Sequence, residues 1–396
     1  MQRPLIVIAG SLSVSLTNFR GPLIAQLVST GYRVIACAPD TNPVVIQEIL
    51  ALGAEFRVVP MRRTGQNPLH DLRTLFSYIR LLRRERPKVV LAYTLKPIVY
   101  AGLALRFFHA PRFVAMMTGL GYVFGETGSS GWLQWLTARL NRAALRRAQD
   151  ILVFNRDDAD ELLRRRMIDD RSLVTLVPGS GVDLQRFARR PLANGMPVFL
   201  LVARLLADKG IGEFVAAAAI VRASFPGARF QLLGPFDSNP AAISPAQIES
   251  WVSMGNVEYL GSTRDVRPFY AQCTTCVLPS YREGLPRTVI EAMATGRAII
   301  TTDVPGCRDT VEVGRNGFLV RARDVQDLAN AMMRFCHDPS LATRMGEASY
   351  RMATDRFDVR KINRQLLDII GHLARRSNPE DLPCVPLSAQ CHRSMQ

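Results

Sequence analysis

The chain has 396 residues, 48% hydrophobic and 21% charged, an ordinary globular composition long enough for more than one buried core. Its 50 Lys+Arg against 34 Asp+Glu give +16, and the surplus is lopsided, with 27 basic and 14 acidic residues up to position 190. Seven irregularly spaced cysteines do not resemble a disulfide framework and point to a reducing compartment, and no apolar run approaches the roughly 18 uncharged residues of a membrane span.

Leu5 to Ala9 is a strand-sized run whose continuation alternates with serine, which reads as a first strand rather than a leader. Strands then follow at 33–38, 55–59, 89–92, 113–117, 151–154 and 173–177, each ahead of a helix-length segment. A Pro-Gly-Ser-Gly break at 178–181 and a polar stretch read as a linker. The alternation resumes at 198–203, 230–233, 257–260, 276–278 and 298–302 and ends in helices over 324–375. The expectation is two doubly wound Rossmann-like α/β domains facing a central cleft, at residues 1–185 and 195–355. A C-terminal helix at 356–376 and a disordered, proline-bearing tail at 377–396 complete the expected layout.

Ligands of such domains collect at the carboxyl ends of the strands. In the second half, "REGLPRTVIEAMATGRAII" places Glu283 in a loop and Glu291 within the helix that follows, with Pro286 suited to its first turn and Gly296 to its end. Carboxylates accept hydrogen bonds from sugar hydroxyls, whereas the open amides of a helix start, those of Gly284, Leu285 and Arg287 around Pro286, attract phosphate oxygens. Arg204 and Lys209, in "ARLLADKG", supply cations for a diphosphate. Cys273 and Cys276 form a lone C-x-x-C that opens an apolar run and is assigned to packing, and none of the five histidines shows metal-ligand spacing.

Arg204 and Lys209 as R-x4-K, with the E-x7-E of Glu283 and Glu291, resemble the GT-B retaining glycosyltransferases of family 4. The resemblance runs from "NFRGPLIAQLVSTGYRV" through "VPGSGVDLQRF" to Arg323. It implies that Glu283 contacts the transferred sugar, Glu291 the ribose, Arg204 and Lys209 the diphosphate, and the loop at Gly261 the base. It also implies catalysis without a bound metal. "YTLKP" and "MTGLGYVFG" are similar to a subgroup that adds an N-acetylhexosamine to a polyprenyl-diphosphate-linked sugar, including the N-acetylgalactosaminyltransferases that extend diacetylbacillosamine. Many members have a histidine where this chain has "TGLGY", so no histidine role carries over.

The acceptor is then expected in the first half, near Ser13, Asn18, Arg20, Lys96, Thr118, Gly119 and Gly121, with loop hydrogen bonding the competing role for Ser13 and Lys96. A lipid acceptor accounts for the lopsided charge and for an anionic inner-membrane surface as partner, the protein being cytoplasmic and peripheral to the inner face of the plasma membrane. Residues 68–88 set Leu72, Leu75, Phe76, Ile79 and Leu82 at helical spacing among arginines, fitting either a lipid-facing helix or a crossover helix with its apolar stripe on the sheet. Arginine-rich coding is the other account of the charge, since Lys88, Lys96, Lys209 and Lys361 are the only lysines.

Three alternatives compete. An oxidoreductase needs G-x-G-x-x-G after its first strand, and "GSLSVS" lacks the second and third glycines. No nucleic-acid recognition motif accompanies the basic charge. A sugar-nucleotide epimerase of the same two-domain fold is chemically closer, and differs in needing no acceptor.

Overall fold

The computed structural model describes residues 3–62, 68–120, 131–192, 195–237, 239 and 241–375. In the first half, strands and helices alternate as β1 (Leu5–Ala9), α1 (Ser13–Ser29), β2 (Arg33–Ala38), α2 (Pro43–Ala51), β3 (Glu55–Val58), α3 (Pro68–Glu85), β4 (Val89–Tyr93), α4 (Leu95–Leu105), β5 (Arg112–Met117), α5 (Gly131–Leu145), β6 (Asp150–Val153), α6 (Arg156–Arg164) and β7 (Val174–Leu176). The second half continues β8 (Val198–Val202), α7 (Ile211–Ser224), β9 (Arg229–Leu233), α8 (Pro245–Ser253), β10 (Glu258–Tyr259), α9 (Arg267–Gln272), β11 (Thr275–Leu278), α10 (Arg287–Ala294), β12 (Ala298–Thr302) and β13 (Gly317–Val320). Helices α11 (Val325–His337), α12 (Ser340–Arg356) and α13 (Val359–Arg375) close the chain.

Two all-parallel sheets result, ordered β3-β2-β1-β4-β5-β6-β7 and β10-β9-β8-β11-β12-β13. The central strands are apolar on both faces, "LIVIA" in β1 and "VVLAY" in β4 being buried throughout, as helices on either side of a parallel sheet require. On the first sheet, α3, α4, α5 and α6 contribute to one core cluster, and α1, α2 and α13 to the other. Strand order reverses between β1 and β4 and again between β8 and β11, so each sheet has a crevice there, at its carboxyl edge.

Helix α13 crosses back to the first sheet, where Ile362, Leu366 and Ile370 bury against the cluster that holds Leu16 and Ile24 of α1. The two connections between lobes run side by side. The Val182 amide donates to the Phe357 carbonyl at 2.8 Å, and the Val359 amide to the Val182 carbonyl at 3.0 Å.

The structure departs from the sequence reading in three places. Strand β13 was not expected, because "GFLV" is four residues long, starts with glycine and shows no alternation. Pro286 is the N-cap of α10, extended at φ −72° and ψ 108°, one residue before its expected place. In α3 the buried positions are Thr74, Tyr78 and Leu82, with Leu75 and Ile79 packed partly buried beside them, while Leu72 and Phe76, inward on the crossover-helix alternative, are exposed together with Leu69. Gly121 and the 377–396 tail lie outside the described residues.

Candidate active site

The second crevice opens between the loops that leave β8 and β11. After β8 the chain turns through Arg204 into a single 3-10 turn at Ala207–Lys209, and after β11 it runs through Ser280 and Glu283 to the start of α10. These two loops meet in an ion pair, with Lys209 Nζ 2.6 Å from Glu283 Oε1 and both side chains more than four-fifths buried. Burial works against the charge on Lys209, but the adjacent Glu283 carboxylate outweighs it and holds the ammonium above its usual pKa. The Ser280 hydroxyl donates to the same Oε1 at 2.9 Å. Glu283 therefore receives both bonds on one oxygen and keeps Oε2 for a hydroxyl donor, while Lys209 has committed one of its three donors.

Arg204 lies near enough to Lys209 to lower its pKa, and its guanidinium is turned to Asp237, 2.7 Å away. The half-exposed Arg204 can leave that carboxylate for another anion at little cost. Glu291, one turn into α10, points back toward the helix start and accepts from Arg287 Nε at 2.7 Å. Burial raises the Glu291 pKa, opposed by Arg287. The folded chain therefore takes up the Glu291 proton at a higher pH than the unfolded chain does, and the native state loses stability as pH rises through that window. We expect Glu291→Gln to unfold at a higher temperature than the wild type at neutral pH. Scanning calorimetry should show the gap narrowing on acidification as the wild-type carboxyl protonates.

Gly261 follows β10 in a left-handed conformation, φ +75°, and its carbonyl accepts from the Gly234 amide at 2.9 Å, so its loop lies beside the end of β9. Cys273 and Cys276 are fully buried, and burial pushes the Cys273 thiol up to about 12, which leaves it inert at neutral pH.

The first lobe meets this loop from the other side. Asn18 offers its carbonyl to Arg287, so Arg287 links Glu291 to the second turn of α1 in the first lobe. Thr118 and Gly119, at the end of β5, lie directly against Gly284. A Cβ on Gly284 would stand 2.1 Å from the Thr118 carbonyl oxygen, and one on Gly119, at φ +125°, would stand 3.3 Å from the Gly284 backbone. Only glycines permit this approach.

Ser13 bonds Asp40 through its amide, at 2.7 Å, and through its hydroxyl. Arg20 is buried between the Tyr93 and Phe154 rings, 5.1 and 5.9 Å from their centroids, with no partner for its Nε. Burial lowers its pKa to about 10. Lys96 donates to the Arg62 carbonyl at 2.8 Å and stands 3.6 Å from Asp71, which ties it to α3.

Residues 196–338 match the family of glycosyl transferases group 1, and residues 19–179 match the glycosyl transferase 4-like domain, together more than half of the chain. The chain is a GT-B glycosyltransferase. Among its relatives is the N,N'-diacetylbacillosaminyl-diphospho-undecaprenol alpha-1,3-N-acetylgalactosaminyltransferase of Campylobacter jejuni, 25% identical over 347 residues, covering 84% of this chain and 89% of that protein. The UDP-Gal:alpha-D-GlcNAc-diphosphoundecaprenol alpha-1,3-galactosyltransferase of Escherichia coli is 23% identical, covering 69% and 72%. The glycosyltransferase shares its fold with a sucrose-phosphate synthase of Thermosynechococcus elongatus, at a TM-score of 0.77, 21% identity and coverage of 94% and 99%. It also shares it with Anabaena HepE in complex with UDP, at 0.74, 17%, 93% and 99%. At these identities the two structures speak for the fold alone.

In this glycosyltransferase the residues singled out from sequence are not all brought together. Lys209 and Glu283 touch, Arg204 and Glu291 flank them with partners of their own, and Thr118, Gly119 and Asn18 reach the same loop from the first lobe. Sequence reasoning missed Ser280, Asp237 and the side chain of Arg287, and it missed Asn155 and Asp158, which also meet the loop. The available signal was "NRDD" directly after β6, an Asn N-cap with an acid three residues on at a strand's carboxyl end.

Proposed function

We propose that this glycosyltransferase moves an N-acetylhexosamine from a UDP-sugar to a lipid-diphosphate-linked saccharide, with retention of the anomeric configuration, in the assembly of a cell-surface polysaccharide or glycan. The observation that carries the reading is the Lys209–Glu283 pair at the mouth of α10, with a cation and a carboxylate in one crevice. The relatives from Campylobacter jejuni and Escherichia coli, both named for transfer to diphosphoundecaprenol-linked sugars, support the acceptor class.

Lys209, Arg204 and the unbonded first amides of α10 neutralise the diphosphate as the C1–O bond breaks. Glu283 Oε2 holds a sugar hydroxyl, and Glu291 holds the ribose hydroxyls. The acceptor oxygen attacks C1 from the face the diphosphate leaves, and its proton passes to a departing phosphate oxygen. A panel of UDP- and GDP-sugars, offered with lipid-diphosphate saccharides and read by mass, tests this. One added N-acetylhexosamine from the UDP donor is expected. An altered donor sugar with no extended acceptor marks an epimerase instead.

A membrane face belongs to the same reading. Among the described residues no helix is long and apolar enough to cross a membrane. Leu69, Leu72 and Phe76 in the first half of α3, and Trp132 and Trp135 in that of α5, are nevertheless exposed, each near the end of its helix that follows the sheet's carboxyl edge. Residues 68–147 hold 13 Lys+Arg against 3 Asp+Glu, a net of +10 out of the whole chain's +16. Arginine-rich coding would spread that charge evenly. We expect the protein to sediment with vesicles of about one-third phosphatidylglycerol, and Leu72→Ser/Phe76→Ser/Trp132→Ser/Trp135→Ser to bind them about tenfold more weakly. Equal binding by that variant removes this face from the reading.

A further inference from the structure

Three residues that the proposed transfer leaves unused lie where the lobes meet. Asn155 follows β6 and caps α6, its Oδ1 accepting from the Asp158 amide at 2.7 Å. Its Nδ2 donates to the Gly284 carbonyl at 2.7 Å, across the crevice. Asp158, with no exposed surface, accepts from Arg282 Nη2 at 2.5 Å through Oδ1 and from Asn155 Nδ2 at 3.0 Å through Oδ2. The acceptor lobe thus grips Arg282 and Gly284, the two residues on either side of Glu283.

We propose that Asn155 and Asp158 are positioning residues that hold Glu283 in register for transfer, so that the donor carboxylate is set only when the lobes are closed. This rests on the reading of Glu283 as the group that meets the transferred sugar. The gripped atoms are the carbonyl after Glu283 and the side chain before it, which leaves the loop little freedom to swing that carboxylate. Each lobe buries its own core, so a bond between lobes acts on their closure more than on the folding of either. Asp158 keeps Asn155 when the lobes part, and Arg282 turns to water. Burial raises the Asp158 pKa against the pull of Arg282, so the clasp is held by a carboxylate that depends on that partner. The nearby Asp157–Arg308 pair, 3.3 Å apart and well exposed, adds little.

Arg282→Met and Asp158→Asn test the clasp from its two sides, and the partly exposed Arg282 leaves the fold intact even where the buried variant does not. Both should lower kcat about tenfold to a hundredfold, as expected for a slightly misplaced reacting group. The Kd for UDP should stay within about twofold, since neither variant alters Arg204, Lys209 or Glu291, the groups assigned to the nucleotide. The double variant should lose no more than the worse single one, and Arg282→Lys should recover part of the rate. A kcat near wild type in both single variants, or a UDP affinity that falls in step with kcat, overturns the proposal. Should the wild type extend no acceptor, the reaction reading itself has failed. The clasp is then judged by small-angle scattering, where Arg282→Met should have a larger radius of gyration than wild type and an equal radius overturns it.

Discussion

Lys209→Ala should lose about a hundredfold to a thousandfold in kcat, the scale seen when a group that stabilises developing charge is removed. Two losses coincide at this position. The departing diphosphate loses a cation held more than four-fifths buried, where a charge acts more strongly than in water, and Glu283 loses the partner 2.6 Å away that orients it. Glu283 then keeps only the Ser280 hydroxyl on Oε1. Steady-state kinetics with a UDP-sugar and a lipid-diphosphate acceptor, on protein whose circular dichroism matches wild type, is the measurement. Glu283→Gln should fall by a similar factor, because an amide cannot hold both the ammonium and a sugar hydroxyl through two acceptor oxygens. Near-normal turnover in both variants would remove these residues from the site.

Gly284→Ala should be as damaging for a different reason. Its added methyl would stand 2.1 Å from the Thr118 carbonyl oxygen and 2.7 Å from the carbonyl carbon, both backbone atoms that have no side-chain freedom to give way. The lobes must part or the loop must shift, and either moves Glu283 relative to the acceptor. A misplacement of about 1 Å at a reacting centre costs on the order of a hundredfold in rate. UDP affinity should hold, because the added methyl meets Thr118 and Gly119 of the first lobe and not Arg204, Lys209 or Glu291. Titration calorimetry with UDP alongside kcat separates the two effects, and a parallel loss of both would place the clash in the donor site instead.

Much of this was legible in the sequence because parallel strands buried on both faces read as short continuous apolar runs. "LIVIA", "RVIACA" and "AIITT" are strands at their expected limits. The meeting of the two strand-end loops was legible because Glu283, Gly284 and Glu291 are close in sequence and Arg204 and Lys209 sit on one strand-end loop. What could not be read was anything set by contacts between distant segments. Asn155 and Gly284 are separated by 129 positions, and nothing local to either announces the other. Helix α3 shows the same limit, since helical spacing identified its apolar residues but could not tell Leu82, which packs inward, from Phe76, which faces out. The return of α13 to the first sheet likewise depends on Ile362, Leu366 and Ile370 finding α1, a pairing invisible in either helix alone.

A crystal structure of the complex with an unreactive UDP-sugar analogue tests the central claim most directly. The account predicts the diphosphate against Lys209 Nζ and the first amides of α10, with Arg204 turned from Asp237 to a phosphate oxygen and a sugar hydroxyl on Glu283. A nucleotide bound away from the crevice between the β8 and β11 loops, or a diphosphate that touches neither Lys209 nor Arg204, would contradict it.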